Sequence, residues 1–172
     1  MHMRVGIVGF AFGLREDEPN PSNIALAEKV EEAVVYVNFQ DSVPIVVTQW
    51  EITKAIEAPF NYVVDHSVEL RQDGTYLDSK GVWEEAKAEF VSEGITQVIL
   101  IAQPFLHLPS LKKMVKEDGY EVLEFKVGAI PFDNSDLNTQ PWTRSKTALA
   151  VYAVKSILGM KHGHDGMQSA TT

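Results

Sequence analysis

His107 is the residue best placed to do chemistry. It stands in Gln103-Pro104-Phe105-Leu106-His107, after the apolar run Val98 to Ala102 and just ahead of Pro109. At a helix start the backbone dipole disfavours the imidazolium, so the ring is neutral and able to take or give a proton. A histidine that only satisfies the turn is an equal alternative. Glu51 is a second candidate acid/base. Its setting, Thr48-Gln49-Trp50-Glu51, also fits a capping box, with Thr48 as cap and Glu51 reaching back. Asp65 and His66 end an apolar stretch. Neighbours on a strand point to opposite faces, so both serve one site only if the strand has ended. Gln49 and Gln103 each follow an apolar run and are candidate ligand contacts.

Gly9 and Gly13 bracket Gly-Phe-Ala-Phe-Gly after the first apolar run. The spacing is not that of a dinucleotide fingerprint, and no G-x-x-x-x-G-K-[ST] loop occurs. A turn that lets backbone approach a ligand and a plain strand-ending turn weigh equally. No G-x-S-x-G elbow is present, which disfavours an α/β-hydrolase serine. Two histidines and two carboxylates at one edge would suit a divalent metal, but their spacing is diffuse, without H-E-x-x-H, and no metal ligands are assigned. His162 and His164 read as a chance pair.

To bring these residues together the chain must supply elements that end at a common edge. Arg4 to Phe10, Pro44 to Thr48, Asn61 to His66, Val98 to Ala102 and Tyr120 to Phe125 read as strands; the solidly apolar ones suit strands buried on both faces. Between them lie helical patterns. Ser22 is read as the cap of a helix carrying Ile24, Ala27, Val30, Val34 and Val37 on one face. A short helix runs from Trp50 to Ala58. Ser67 to Gly81 reads as a polar loop; Val82, Trp83, Ala86 and Phe90 mark the next helix, and Leu108, Leu111 and Val115 the one that Pro109 opens. Lys126 to Trp142 is a long loop, of the kind that serves as a lid, a binding loop or a dimer contact. Thr147, Val151, Val154 and Leu158 line one face of a last helix. Strands alternating with helices predict right-handed βαβ units, and hence an α/β fold: a mostly parallel sheet of about five strands with helices on both faces. In such a sheet the loops that follow the strands meet at the carboxyl-terminal edge, where ligands sit.

The bulk numbers bound the function. The chain has 172 residues, 15 basic and 24 acidic, for a net charge of −9. The size predicts one domain over residues 1–160, with 161–172 as a flexible tail. The acidic balance argues against nucleic acid and anionic membranes as partners. With no cysteine there is neither a disulfide nor a thiolate site. No signal-peptide core and no membrane-spanning run is read, so the expected location is the cytoplasm.

From Ser79 to Tyr120 the order is a polar turn, a Glu85-Ala86 helix start, the Val-Ile-Leu-Ile strand, a turn with His107, a helix, then Gly119 and another strand. This resembles the YdcF-like (DUF218) proteins, the group that includes the SanA and ElyC envelope proteins. In that family the strand is followed by H-x-x-R. His107 matches its histidine, but Leu108-Pro109-Ser110 stands where the arginine would follow. Ser79 falls at the family's helix-entry motif and Glu51 near its earlier glutamate. The N-T and E-N elements of that motif are not kept, and the family's Ser-Gly strand end is Thr48-Gln49. The resemblance implies a Rossmann-like, three-layer domain that binds a small nucleotide-like or S-adenosylmethionine-like ligand. The expected function is therefore binding of a nucleotide-like or other anionic small molecule at the sheet edge. His107 and Glu51 are the catalytic candidates if the protein is an enzyme. Gly9, Gly13, Gln49, Asp65, His66, Ser79 and Gln103 line the site. A non-catalytic binding or interaction module, with or without self-association, is the alternative, and a metal-dependent hydrolase a further one.

Overall fold

A computed structural model describes residues 3–56, 64–70, 74 and 76–159. Five parallel strands form one sheet in the order β3-β2-β1-β4-β5. They are β1 (Arg4–Gly9), β2 (Val43–Gln49), β3 (His66–Val68), β4 (Gln97–Ile101) and β5 (Glu121–Val122). The α/β, Rossmann-like expectation is met. Gly9 pairs with Thr48 on one side and Ile101 on the other, so the central strands end at one level.

Five helices cover the sheet and its edge: α1 (Pro21–Phe39), α2 (Trp50–Ala55), α3 (Ser79–Ser92), α4 (His107–Glu117) and α5 (Lys146–Ile157). Gly6 and Gly9 lie on opposite faces of β1, because side-chain direction alternates along a strand. A Cβ on Gly9 would meet Thr48, Val30 of α1 and Ile52 of α2, whereas one on Gly6 would run into the Phe90 ring of α3. α1 and α2 therefore cover one face and α3 the other, as right-handed crossovers require. Val82, Trp83, Ala86 and Phe90 are fully buried, as their spacing predicts.

Several local expectations are corrected. Asn20, not Ser22, caps α1, because Pro21 already occupies the first helical turn; the Ser22 hydroxyl donates instead to the Pro131 carbonyl at 2.7 Å. Ile24 is exposed. The Thr48–Glu51 capping box does not form. Gln49 precedes α2 without a side-chain cap, and Thr48 Oγ1 bonds Thr53 Oγ1 at 2.7 Å. The third strand is His66–Val68, with Asn61–Val63 outside the described residues; Asp65 and His66 thus stand at its start. The polar stretch after it ends sooner than expected, since the Asp78 side chain caps Gly81 N–H and α3 begins at Ser79. The fifth strand is confined to Glu121–Val122, and α4 starts at His107 rather than at Pro109. The apolar face of α5 exists but lies in solvent, since no strand runs beneath it. Leu149 is its buried anchor, and Trp142 stacks on Tyr152 with ring centres 5.2 Å apart.

Candidate functional site at the carboxyl-terminal edge

The chain diverges at the ends of β1 and β4, whose following helices lie on opposite faces; such a switch point opens the crevice of an open α/β sheet. His107 is the first residue of α4 there. Its Nε2 lies 2.8 Å from Ser79 Oγ, at the start of α3. Phe10 and Phe12 from the β1–α1 loop flank the ring, with centres 6.2 and 6.0 Å away. Burial pushes the imidazole down to about 4, so it is neutral at physiological pH. Its Nδ1 is buried without a hydrogen-bond partner among the described residues. Leu106, immediately before, has φ +63°, a left-handed backbone that a leucine rarely adopts and that sets the entry of His107 into the helix.

Glu51 lies one element away, in the first turn of α2, and only 3% of it is exposed. Burial raises its carboxyl to about 7. The Tyr76 hydroxyl donates toward the carboxylate and pulls that value partway back. Tyr76 in turn is held protonated, first by burial and then by the Glu51 charge. The neighbouring Trp50 Nε1 is also buried without a partner. Trp50 and Glu51 line a small cleft, closed on its other side by Arg15 to Asn20 and Asn23 and flanked by Lys54.

The remaining expected site residues make contacts within the fold. Gln49 Oε1 accepts from Ala11 N–H at 3.0 Å, and its amide faces the Leu77 carbonyl at 3.4 Å. Gln103 donates to the Ile130 carbonyl at 3.1 Å. Gly9 is the contact point of α1 and α2. Gly13 has φ +78°, and a Cβ there would strike Asn20 and Thr143. Asp65 accepts from Val46 N–H at 2.7 Å at the sheet margin. The half-exposed His66 faces Glu85 of α3 at 3.2 Å. The structure thus brings His107 to Ser79 and puts Glu51 in a cleft, but leaves Asp65 and His66 apart from both.

Sequence reasoning missed Trp50 and Tyr76. It read Trp50 as a helix start and placed Tyr76 within a polar loop. The only signal was that each adjoins a residue of interest, Glu51 or Leu77-Asp78-Ser79. It also missed that the long loop is knotted to the β1–α1 loop. Asn138 accepts from Leu14 N–H at 3.2 Å and donates to the Asp133 carbonyl and Thr143 Oγ1. Asn23 accepts from Phe12 N–H at 2.8 Å and donates to the Gly13 carbonyl. Arg15 clasps Asp133 through two bonds of 2.9 Å, which keeps the Asp133 carboxyl below its usual range.

Among the described residues no group of three or more His, Asp or Glu could hold a metal. No described helix is long and apolar enough to cross a membrane. Comparison of the chain with family models, curated proteins and solved structures finds no match.

Proposed function

We propose that the protein binds a nucleotide-like small molecule at the carboxyl-terminal sheet edge and that Glu51 is the acid/base group there. The observation that carries this reading is the Glu51 carboxyl, buried in a cleft wall beside the Tyr76 hydroxyl and balanced near neutrality. A group whose pKa lies near the working pH serves best as both acid and base. His107 is less basic; oriented by Ser79, it suits hydrogen bonding to a ligand more than proton abstraction. The resemblance to YdcF-like proteins adds a nucleotide-like or S-adenosylmethionine-like ligand to this reading.

A second reading is an interaction module, and one observation favours it. Val151, Val154, Ile157 and Leu158 on α5 are exposed, Ile157 by 84%. Metal-dependent hydrolysis has no such support.

The test is a thermal-shift screen of nucleosides, nucleotides, S-adenosylmethionine and sugar phosphates. A ligand at one hundred times its dissociation constant stabilises by about 2.7 kcal/mol. The expected result is a shift in the wild type that His107→Ala or Glu51→Gln removes. No shift from any of them contradicts the binding reading and favours the interaction module.

A further inference from the structure

α5 is anchored on one side only. Leu149 is its buried residue, and Val151, Val154 and Leu158 form a stripe on the opposite side, with Ile157 beside them. These four stand in solvent at 48% to 84% exposure. The charges of the helix are Lys146 and Lys155, and it has no acidic residue.

α1 carries a second open stripe, of opposite charge. Its inner face, Leu26, Ala27, Val30, Val34 and Val37, is buried in the core. Its outer face still exposes Ile24, Val35, Tyr36 and Phe39, the last by 82%. Glu28 and Glu32 are exposed among them, against the single Lys29. Scattered apolar residues on a surface are ordinary, whereas grouped ones mark contacts.

The areas favour using both stripes at once. At these exposures the four apolar side chains of each helix present roughly 450 Å², the size of the largest patch on a typical monomer. One such patch falls short of the roughly 800 Å² per partner of a standard interface, and two together reach it. The charges match as well, since a cationic apolar helix suits an acidic apolar one. A lipid bilayer would take the α5 stripe alone, and the net charge of −9 opposes an anionic one. The residues that follow α5, 160–172, hold only Met160 and Met167 as large apolar side chains, too few to cover it.

We propose that two copies of the chain form a closed dimer in which α5 of each lies on the outer face of α1 of the other, with Lys155 facing Glu28. A two-fold axis makes the contact reciprocal, so each protomer buries both stripes. This names the partner for the interaction reading above and rests on it; ligand binding at the sheet edge is independent of it.

The experiment is sedimentation velocity of the whole chain over a dilution series. A dimer dissociating in the micromolar range or below is expected. Val154→Asp should keep the far-UV circular dichroism of the wild type and weaken the dimer roughly a hundredfold, because it sets a carboxylate in the contact. Phe39→Asp should do the same from the other helix, which pairing of α5 with α5 would not require. Lys155→Glu should weaken the dimer roughly tenfold, and adding Glu28→Lys should restore it. A dimer that survives both aspartate variants, one that only Val154→Asp breaks, or open-ended polymers overturn the assignment. If the chain is a monomer that floats with anionic vesicles unless Val154→Asp is present, this inference fails and the interaction reading survives. A monomer that binds no vesicle through α5 ends both.

Discussion

The cleft has two walls, and they differ in how their polar groups are spent. On the β1–α1 side, Asn20 and Asn23 are as buried as any core residue, yet their side chains are engaged: they cap α1 and hold the Phe12 and Gly13 backbone. On the α2 side, Trp50 Nε1 has no partner among the described residues, and the buried Glu51 carboxylate has only the nearby Tyr76 hydroxyl. The first wall is architecture, and its amides fix a loop that would otherwise strand backbone groups. The second carries an unrelieved cost. A buried donor or acceptor without a partner costs about 1–3 kcal/mol, more if charged. Strained and poorly satisfied groups concentrate where function needs them, and the proposed ligand would complete this wall.

The largest effect is expected where the long-loop knot that holds the saturated wall is broken. Asn138→Ala would leave Leu14 N–H, Thr143 Oγ1 and the Asp133 carbonyl short of a partner at once. It should lower unfolding free energy by roughly 4 kcal/mol, read from urea denaturation. A loss under 1 kcal/mol would mean that the knot contributes nothing special.

The unsatisfied wall should respond in the opposite sense. The carboxyl of Glu51 is raised from 4.5 to about 7 in the folded state, so folding favours its proton. The relative stability from that proton is present in full below the unfolded pKa and lost as pH rises through 7. Glu51→Gln should therefore stabilise the protein at pH 8 by about 3 kcal/mol and have little effect at pH 4. His107 has the reverse dependence. Its lowered pKa means that the unfolded chain binds more protons, so its contribution is full above 6.5 and drains away as pH falls toward 4. A Glu51→Gln variant no more stable than wild type at pH 8 would mean that the wall is not strained.

The smallest effect concerns the histidine. Leu106→Gly relieves the left-handed backbone at φ +63°. It should stabilise by about 1 kcal/mol at most, because glycine adopts that region without a Cβ clash. If chemical denaturation shows a loss instead, the Leu106 side chain holds His107 in place more than its backbone strains it.

The α/β class and the alternation of strands and helices were legible because long apolar runs and helical spacing are local signals, and Val98 to Ala102 or Val82-Trp83-Ala86-Phe90 allow few other roles; the strand order, set by pairing across the sheet, was not. The ends of elements were not. Whether Asp65-His66 closes a strand or opens one depends on pairing with Val46 and Val47, which a single segment does not encode. Glu51 was legible as a residue of interest but for an uncertain reason. Its capping-box spacing is genuine in the sequence, and burial beside Tyr76 took the carboxyl elsewhere. His107 and Ser79 are separated by a strand and a helix, and only the crossover of α3 brings them within 2.8 Å. The long loop was read as a lid, a binding loop or a dimer contact from its length, which does not distinguish these from a knot. Its partner, the Leu14 to Ser22 stretch, lies more than a hundred residues earlier.

The most direct measurement is the carbon-13 NMR titration of the Glu51 side-chain carboxyl, assigned by the signal that Glu51→Gln removes. A midpoint near 7 is predicted for the free protein. A midpoint in the ordinary glutamate range, about 4.3, would mean that the carboxylate is already solvated or paired. It would contradict both the strained wall and the role in proton transfer assigned to it.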